Sequence, residues 1–359
     1  EFEKLVRRMQ SGSVGTIMFI GTNPVYNYYN SDKFSKALAK VKNVVSFAMS
    51  ADETSAKSNY VAPRNHGFES WSDTLVSSKE LSLTQPVIQP LFGSRMWTET
   101  LMSLAGISGS FYDIIKTTWS GKFDWNKALH DGVTIVNANP SLNGFNNTNI
   151  DKYAKMLKST KGGTGFQIIT YTKSAIGNGD MANNPWLQEL PDPITKATWD
   201  NYVMVAPSYA KEAGIKSGDI VEISNGKHTL KLPAIVQPGT EKNTLAVALG
   251  YGHKVAGKVA KNLGGNAYPF ITFNGSFNYS GSFGTVKKTG MFKGLAQTQT
   301  HHSMEGRDII RETTFAEYTQ NPKAGNQVHK PKTVHIYPPH KKDGHQWAMA
   351  INLASCTGC

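Results

Sequence analysis

The clearest hydrophobic pattern lies near the start of the chain, where a strand, a helix and a second strand follow one another. Residues 14–20 form an apolar run of strand length, and the turn-forming residues 21–24 follow. Apolar positions then recur at helical spacing over 34–41, behind Asn30 or Ser31 as the N-cap. Residues 44–47 form the second apolar run. This order predicts a βαβ unit with parallel strands and a right-handed crossover.

The turn at 21–24, Gly-Thr-Asn-Pro, would lie beyond the carboxyl end of the first strand. Ligands bind at that edge in open parallel sheets. The turn could therefore hold a dinucleotide-like cofactor, or it could be an ordinary connection between a strand and a helix. Its spacing alone does not decide between the two.

The middle of the chain, about 121–200, has weaker patterns. It predicts a strand at 133–136, a helix at 148–157 and a strand at 166–171. Residues 177–193 are rich in Gly, Asn and Pro, which predicts a long loop.

Short strands at close spacing dominate about 202–318. The pattern predicts strands at 202–205, 220–223, 230–236 and 245–249, with one short helix at 209–213 that Gly214 ends. Asn225-Gly226 predicts a type I′ hairpin turn. Many short strands with a single small helix favour a compact β-barrel.

The C-terminal part combines a predicted linker with a pair of cysteines. Residues 328–341 are rich in Pro, Lys and His, whereas 347–353 alternate as in a strand and lead to Cys356 and Cys359. A C-x-x-C turn presents two thiolates to one centre, and such ligands select iron–sulfur clusters, zinc or Cu(I). The alternatives are a thioredoxin-like redox pair, half of a zinc ribbon, or two cysteines that are inert or disulfide-linked. Cys356 and Cys359 are the candidate metal ligands of this chain.

Charge and composition narrow the classes of function. The chain has 38 Lys and Arg against 26 Asp and Glu, a formal net charge of +12. The basic residues are scattered, without the aromatic interleaving or finger spacing of nucleic-acid-binding domains. We therefore expect a diffusely basic surface, or a docking face for an acidic protein or an anionic membrane surface. No apolar run reaches the roughly 20 residues that a membrane-spanning helix needs.

Other polar residues suggest no catalytic site. His301 and His302 are adjacent, so they point in different directions, and the histidines at 329, 335, 340 and 345 match no metal-binding spacing. Glu53, Glu69 and Asp73 have no evident partner for acid–base chemistry. We expect no catalytic residue and no cofactor-binding residue in this chain.

Several segments together resemble one family. The turn at 21–24 with the helix after it is similar to the third domain of the molybdopterin oxidoreductases. The stretch 53–63 (Glu-Thr-Ser-Ala-Lys-Ser-Asn-Tyr-Val-Ala-Pro) and the Gln-Pro-containing stretch 83–91 resemble further segments of that family. Residues 202–252, including Ala-Gly-Ile-Lys-Ser-Gly-Asp at 213–219, resemble its C-terminal dinucleotide-binding barrel.

The resemblance then changes to another module. His-Gln-Trp-Ala-Met-Ala-Ile-Asn-Leu at 345–353, followed by Cys-Thr-Gly-Cys at 356–359, is similar to the opening of ferredoxin-like iron–sulfur subunits. Both modules in one polypeptide resemble the large iron–sulfur subunit of bacterial alternative complex III, a quinol-oxidising respiratory complex. We expect the chain to be a piece of such a subunit, because it lacks an initiator Met and stops within the cysteine motif.

This resemblance implies a fold and a division of the chain. We expect a Rossmann-like parallel α/β domain at 1–200, followed by a double-psi-like β-barrel domain at 201–327. A linker at 328–346 and the start of a ferredoxin-like iron–sulfur module at 347–359 would complete the chain.

The resemblance also implies a function. The complete subunit would carry 4Fe-4S clusters, with a 3Fe-4S cluster as a further candidate, and would pass electrons from quinol toward haem-bearing subunits. Its partners would include integral membrane quinol-binding subunits and a multihaem cytochrome c, on the periplasmic side of the bacterial inner membrane. This segment would not itself be catalytic.

Departures from the family pattern bear on the pterin cofactor. Ser58-Asn59 replaces the family's Ala-Asp, and 67–73 lacks the usual pattern. We therefore expect a scaffold without molybdopterin, with Tyr26, Tyr28 and Tyr29 filling the space of the dinucleotide. The alternative is a piece of an active molybdenum bis-pterin oxidoreductase of the polysulfide or thiosulfate reductase type.

Overall fold

A computed structural model of the chain describes residues 1–136, 147–159, 162–301, 304, 306–307, 309–326, 336–337 and 341–358. In chain order its helices and strands are α1 (Phe2–Gln10), β1 (Thr16–Ile20), α2 (Pro24–Asn27), α3 (Ser31–Leu38), β2 (Asn43–Phe47), β3 (Tyr60–Val61), β4 (Ser72–Leu75), β5 (Glu80–Thr84), α4 (Trp97–Leu104), α5 (Phe111–Thr118), α6 (Trp125–Asp131), β6 (Val133–Ile135), α7 (Ile150–Ser159), β7 (Phe166–Tyr171), α8 (Pro185–Glu189), β8 (Val203–Val205), α9 (Pro207–Ala213), β9 (Asp219–Ser224), β10 (Thr229–Val236), β11 (Thr244–Ala248), β12 (Thr272–Phe273), β13 (Phe277–Asn278), β14 (Ser282–Phe292) and α10 (Phe315–Gln320). Single 3₁₀ turns occur at Ser55–Lys57, Gly67–Glu69 and Tyr268–Phe270.

The predicted βαβ unit is confirmed. β1 pairs in parallel with β2, and β2 pairs in parallel with β3. The side chain of Asn30 accepts a hydrogen bond from the backbone N–H of Lys33 and so caps α3. Phe34 and Leu38 on α3 are buried with Val44 of β2 in one cluster, so the helix covers the sheet.

A second, antiparallel sheet follows in the order β4-β5-β6. Leu81 and Leu83 of β5 are buried in a cluster with Ile115 of α5 and Ala128 of α6. The predicted strand at 133–136 is thus confirmed as an edge strand of this sheet, and α7 confirms the predicted helix at 148–157.

A closed barrel of six strands forms the next part, in the order β10-β8-β11-β7-β14-β9. Its interior holds fully buried apolar side chains, among them Ile168, Val203, Val221 and Leu245. The sequence therefore predicted the barrel and most of its strands. Its first strand, β7, precedes residue 201, where we placed the start of this domain, and the complete division at 1–200, 201–327, 328–346 and 347–359 stays a prediction.

The hairpin between β9 and β10 exists, but the predicted type I′ turn is wrong. Gly226 has a φ of +82°, whereas Asn225 is not among the described non-glycine residues with positive φ, and type I′ requires it at both positions. Instead Asn225 Oδ1 accepts hydrogen bonds from the backbone N–H of Lys227 (3.1 Å) and of His228 (2.8 Å). The side chain thus closes a longer loop.

Residues 1–298 form one compact unit and residues 299–359 a second. In the described part of the second unit, α10 begins with a capping box of Thr314 and Glu317. The predicted strand at 347–353 is wrong, because none of these residues lies in a strand and Trp347 and Leu353 are exposed. An alternating segment needs a partner strand for its backbone groups, and no strand among the described residues pairs with it. Within the described part of the chain, no helix is both long and apolar enough to cross a membrane.

Candidate functional site

The turn after β1 is fixed by a buried polar side chain. Gly21 takes a φ of +60°, which favours glycine. Two residues later, Asn23 is buried, and its Oδ1 accepts hydrogen bonds from the backbone N–H (3.1 Å) and the hydroxyl (2.7 Å) of Thr54. Its Nδ2 donates to Glu53 Oε2 at 2.7 Å. The turn is therefore tied to the segment that follows β2.

Glu53 connects this sheet edge to the barrel. Its Oε1 accepts hydrogen bonds from the backbone N–H of Lys254 (2.7 Å) and of Val255 (3.2 Å), in the loop that follows β11. His253 Nδ1 lies 3.3 Å from the same carboxylate. Burial by itself raises the pKa of Glu53, but the hydrogen bonds from His253 and Asn23 outweigh it and lower the pKa to about 2. Glu53 is thus a buried carboxylate ion that bridges two parts of the fold.

His253 is enclosed on several sides. Its ring stacks on Tyr26, with centroids 3.8 Å apart and planes 22° apart, and only 6% of the residue is exposed. Nδ1 faces Glu53, so it carries the proton and donates it. Nε2 is buried and has no hydrogen-bond partner in the described part of the chain. Gly179 covers it so closely that a Cβ there would lie 2.8 Å from Nε2.

Tyr26 lies between the sheet and the barrel. Its hydroxyl donates to the carbonyl of Tyr251 at 2.8 Å, and its ring meets Tyr268 edge to face at 5.2 Å. Tyr28 packs in the cluster of α1 and α3, whereas Tyr29 packs against both this cluster and the barrel core and stacks on Phe273 at 5.9 Å. Of the three tyrosines, Tyr26 and Tyr29 therefore lie between the sheet and the barrel.

A cleft of about 130 Å³ remains beside these residues. Its walls come from the turn after β1, the end of β2 and the loops around 179–183 and 253–260. Arg64 crosses the turn, since a Cβ on Gly21 would lie 3.4 Å from Arg64 Nη2. Asp52 and Asp180 also line the cleft, so its charge is mixed rather than anion-selective.

Comparisons with known proteins address the barrel directly. Residues 166–270 match the family model of the molydopterin dinucleotide binding domain. The match begins at the first residue of β7 and ends at the 3₁₀ turn Tyr268–Phe270. This part of the chain is therefore similar to a domain of the molybdopterin enzymes.

Two relatives are similar to this chain, and the match to the first is longer than the binding domain. The chain is 26% identical over 255 residues to the menaquinone reductase, molybdopterin-binding-like subunit of Nitratidesulfovibrio vulgaris, a match that covers 68% of this chain and 37% of that protein. It is 37% identical over 99 residues to the thiosulfate reductase molybdopterin-containing subunit PhsA of Salmonella typhimurium, covering 26% of this chain and 12% of that protein.

A solved structure supports the fold. Acetylene hydratase from Pelobacter acetylenicus superimposes with a TM-score of 0.59 at 14% identity, over 79% of this chain and 46% of that one. The chain therefore spans less than half the length of the proteins it matches.

The cleft beside the molydopterin dinucleotide binding domain is a poor fit for the dinucleotide itself. Sites for drug-sized ligands have volumes of roughly 300–1,000 Å³, and a pterin dinucleotide is larger than most such ligands. The cleft offers about 130 Å³. Its inner wall is held by buried hydrogen bonds of Glu53 and by the stack of Tyr26 on His253.

The predicted metal ligands lie apart from this cleft in the sequence. Cys356 is exposed and free, and Cys359 lies outside the described residues. His301 is exposed, and His302, His329, His335 and His340 also lie outside the described residues. Where the structure describes the chain, no three residues of His, Cys, Asp or Glu are grouped to hold a metal ion. The assignment of Cys356 and Cys359 stays a prediction.

Proposed function

We propose that this chain is a scaffold without molybdopterin in a respiratory electron-transfer complex, joined to an iron–sulfur relay. More specifically, it would belong to the large iron–sulfur subunit of a quinol-oxidising alternative complex III. Cys356 and Cys359 would be cluster ligands in the complete subunit.

The observation that carries the scaffold proposal is the contact between Glu53 and His253. The buried carboxylate accepts hydrogen bonds from Asn23 and from the backbone of Lys254, so one side chain joins the sheet edge to the barrel loop. Beside it, Tyr26 is stacked on His253. Protein groups thus make the contacts that hold the sheet edge and the barrel together, and the remaining cleft is small.

The link to quinones rests on a relative. The Nitratidesulfovibrio protein is named a molybdopterin-binding-like subunit of a menaquinone reductase. A shared role would place this chain in a quinone-linked complex. We further propose integral membrane quinol-binding subunits and a multihaem cytochrome c as its partners. Its location would be the periplasmic side of the bacterial inner membrane.

Metal analysis of the complete subunit tests the proposal. The subunit would be produced in a host that makes active molybdenum enzymes, and one such enzyme would be purified beside it as a positive control. We expect at least about four iron atoms per subunit, less than about 0.1 molybdenum per subunit, and no fluorescence from oxidised pterin. Stoichiometric molybdenum together with pterin would refute the scaffold proposal.

A second candidate is a molybdenum bis-pterin oxidoreductase of the thiosulfate or polysulfide reductase type. The similarity to the thiosulfate reductase subunit, 37% over 99 residues, favours it. In that case the dinucleotide would lie against the barrel and the turn at 21–24. The same metal analysis separates the candidates, because only this one requires molybdenum.

A further inference from the structure

Three lysines from separate elements surround a second hollow, with a volume of about 410 Å³. Lys36 comes from the last turn of α3, Lys57 from the 3₁₀ turn after β2, and Lys254 from the loop after β11. No residue lines both this hollow and the smaller cleft at the turn after β1. The hollow is therefore a separate place on the molecule.

The three ammonium groups have no carboxylate partner in the part of the chain that the structure describes. None of them takes part in an ion pair within the described residues. Lys254 Nζ only approaches Asn262 Oδ1, at 3.5 Å. Where positive charges that line one hollow outnumber the negative ones, an anion in that hollow is attracted.

Two carboxylates line the same hollow, but neither neutralises the lysines. Glu53 already accepts hydrogen bonds from Asn23 and from the backbone of Lys254 and Val255. Asp32 lies in the first turn of α3, where a negative charge is stabilised by the helix dipole. The three lysines outnumber the two carboxylates, so the residues that line the hollow have an excess of positive charge.

The remaining wall is polar and suits a small molecule. The hydroxyls of Ser31 and Ser35 are partly exposed, and neither makes a hydrogen bond in the described part of the chain. The volume lies in the usual range of small-molecule sites, roughly 300–1,000 Å³. Lysine binds phosphate oxygens as a mobile point charge, and three lysines match a ligand with two or more negative charges.

We propose that this hollow binds a phosphate-bearing ligand of the diphosphate class, through Lys36, Lys57 and Lys254. The same chemistry is present in a free phosphorylated molecule and in the headgroup of an anionic lipid. The site does not depend on whether the neighbouring cleft holds a pterin.

The test compares two triple variants of the 359-residue chain that carry equal charge. The first is Lys36→Met, Lys57→Met and Lys254→Met. The control is Lys211→Met, Lys227→Met and Lys287→Met, three exposed lysines that also lack ion pairs in the described residues and lie outside the hollow. Circular dichroism melting would show that both variants fold, since all six positions are on the surface.

Inorganic pyrophosphate is titrated calorimetrically in one arm. Vesicles of cardiolipin, an anionic lipid whose headgroup has two phosphates, or of neutral phosphatidylcholine are co-sedimented in the other. We expect the hollow variant to lose at least about tenfold in affinity for one probe, and the control to lose less than about threefold, because only the hollow brings the charges together. The arm that responds identifies the source of the phosphate. Equal losses in both variants, or binding of neither probe to the unaltered chain, would overturn the proposal.

Discussion

Glu53 and His253 are separated by 200 positions in the chain, yet they form a buried pair with Nδ1 of the histidine 3.3 Å from the carboxylate. The pair joins the edge of the parallel sheet to the loop that follows β11. The contacts of this pair affect both the stability of the protein and the space for a cofactor, so substitutions here test both.

Replacing Glu53 by Gln should destabilise the protein by about 3 kcal/mol. The amide would place a donor NH2 against the donors of Asn23, Lys254 or Val255, and one of these would lose its acceptor. Urea unfolding measures the change. Glu222→Gln is the matched control, because Glu222 pairs with Lys231 on a partly exposed surface and should cost less than about 1 kcal/mol. Equal losses in unfolding free energy for the two variants would show that the buried pair stabilises the protein no more than the exposed pair does.

The same substitution should change the response to acid. The folded-state pKa of Glu53, about 2, is below its ordinary value of 4.5, so the ionised group stabilises the fold above pH 4.5. That contribution is lost as the pH falls from 4.5 to about 2. The difference in unfolding free energy between the unaltered chain and Glu53→Gln should therefore become smaller as the pH falls through this range. Urea unfolding at a series of pH values measures it. A deficit that stays constant with pH would contradict the assigned pKa.

The charge of Lys173 should destabilise the folded protein, whereas the charge of Glu53 stabilises it. It is buried against the rings of Tyr202 and Tyr251, with centroids 4.4 and 5.2 Å from Nζ, and its Nζ donates to the carbonyl of Asp200 at 3.3 Å. Burial lowers its pKa from 10.5 to about 8, although Asp192 and Asp200 act to raise it. The unfolded chain therefore binds the proton more tightly, and stability rises as the pH increases from 8 to 10.5.

Lys173→Met should consequently be more stable than the unaltered chain at pH 7, by about 1–3 kcal/mol. The difference should close as the pH approaches 10.5, which urea unfolding at pH 7, 9 and 10.5 would measure. Lys227→Met, at an exposed position, serves as the control and should show no such trend. A Lys173→Met variant that is less stable at pH 7 would mean that the contacts with the two rings outweigh desolvation.

Alanine substitutions at two nearby glycines, Gly177 and Gly179, compare the effect of backbone strain with that of steric crowding. Gly179 has a φ of +107°, and a Cβ there would meet His253 Nε2 at 2.8 Å and the Cα of Gly250 at 3.0 Å. Gly177 has a φ of +55° with nothing within 4 Å of a Cβ. Gly177→Ala should cost only about 1 kcal/mol of strain, whereas Gly179→Ala should cost about 1–3 kcal/mol more. Similar losses on thermal or urea unfolding would indicate that the packing around His253 is loose.

The prediction for the cysteines concerns the complete subunit. Cys356→Ala should remove the electron paramagnetic resonance signal of one cluster, because each iron needs its thiolate ligand. Ser355→Ala, next to it in the chain, is the control and should leave the spectrum unchanged. An unaltered cluster content in Cys356→Ala would exclude Cys356 as a ligand.

Local patterns in the sequence predicted much of the fold. The βαβ unit, the helix α3 with its Asn30 cap, and the strands β9, β10 and β11 depend on neighbouring residues, and these interactions can be read from spacing. The turn between β9 and β10 was assigned wrongly because the side chain of Asn225 competes with the backbone as an acceptor. The alternation at 347–353 indicates a strand only if a partner strand exists.

The site was harder to predict. Glu53 was recognised only as a carboxylate without a partner, because its partners His253 and Lys254 belong to a barrel loop that no spacing rule connects to it. The turn at 21–24 was found from its position after β1, and Tyr26 from its proximity to that turn. The signal available in the sequence was the polar Asn23 after the first strand and Glu-Thr at 53–54 after the second, since parallel strands bring their carboxyl ends to one edge of the sheet.

The most direct test of the scaffold proposal is an experimental density map of the complete subunit at the contact between Glu53 and His253. We predict that the ring of His253 stacks on Tyr26, that its Nδ1 contacts the carboxylate of Glu53, and that no pterin dinucleotide lies between the turn at 21–24 and the barrel. Density for a pterin dinucleotide in that position, with His253 displaced from Glu53, would contradict the account.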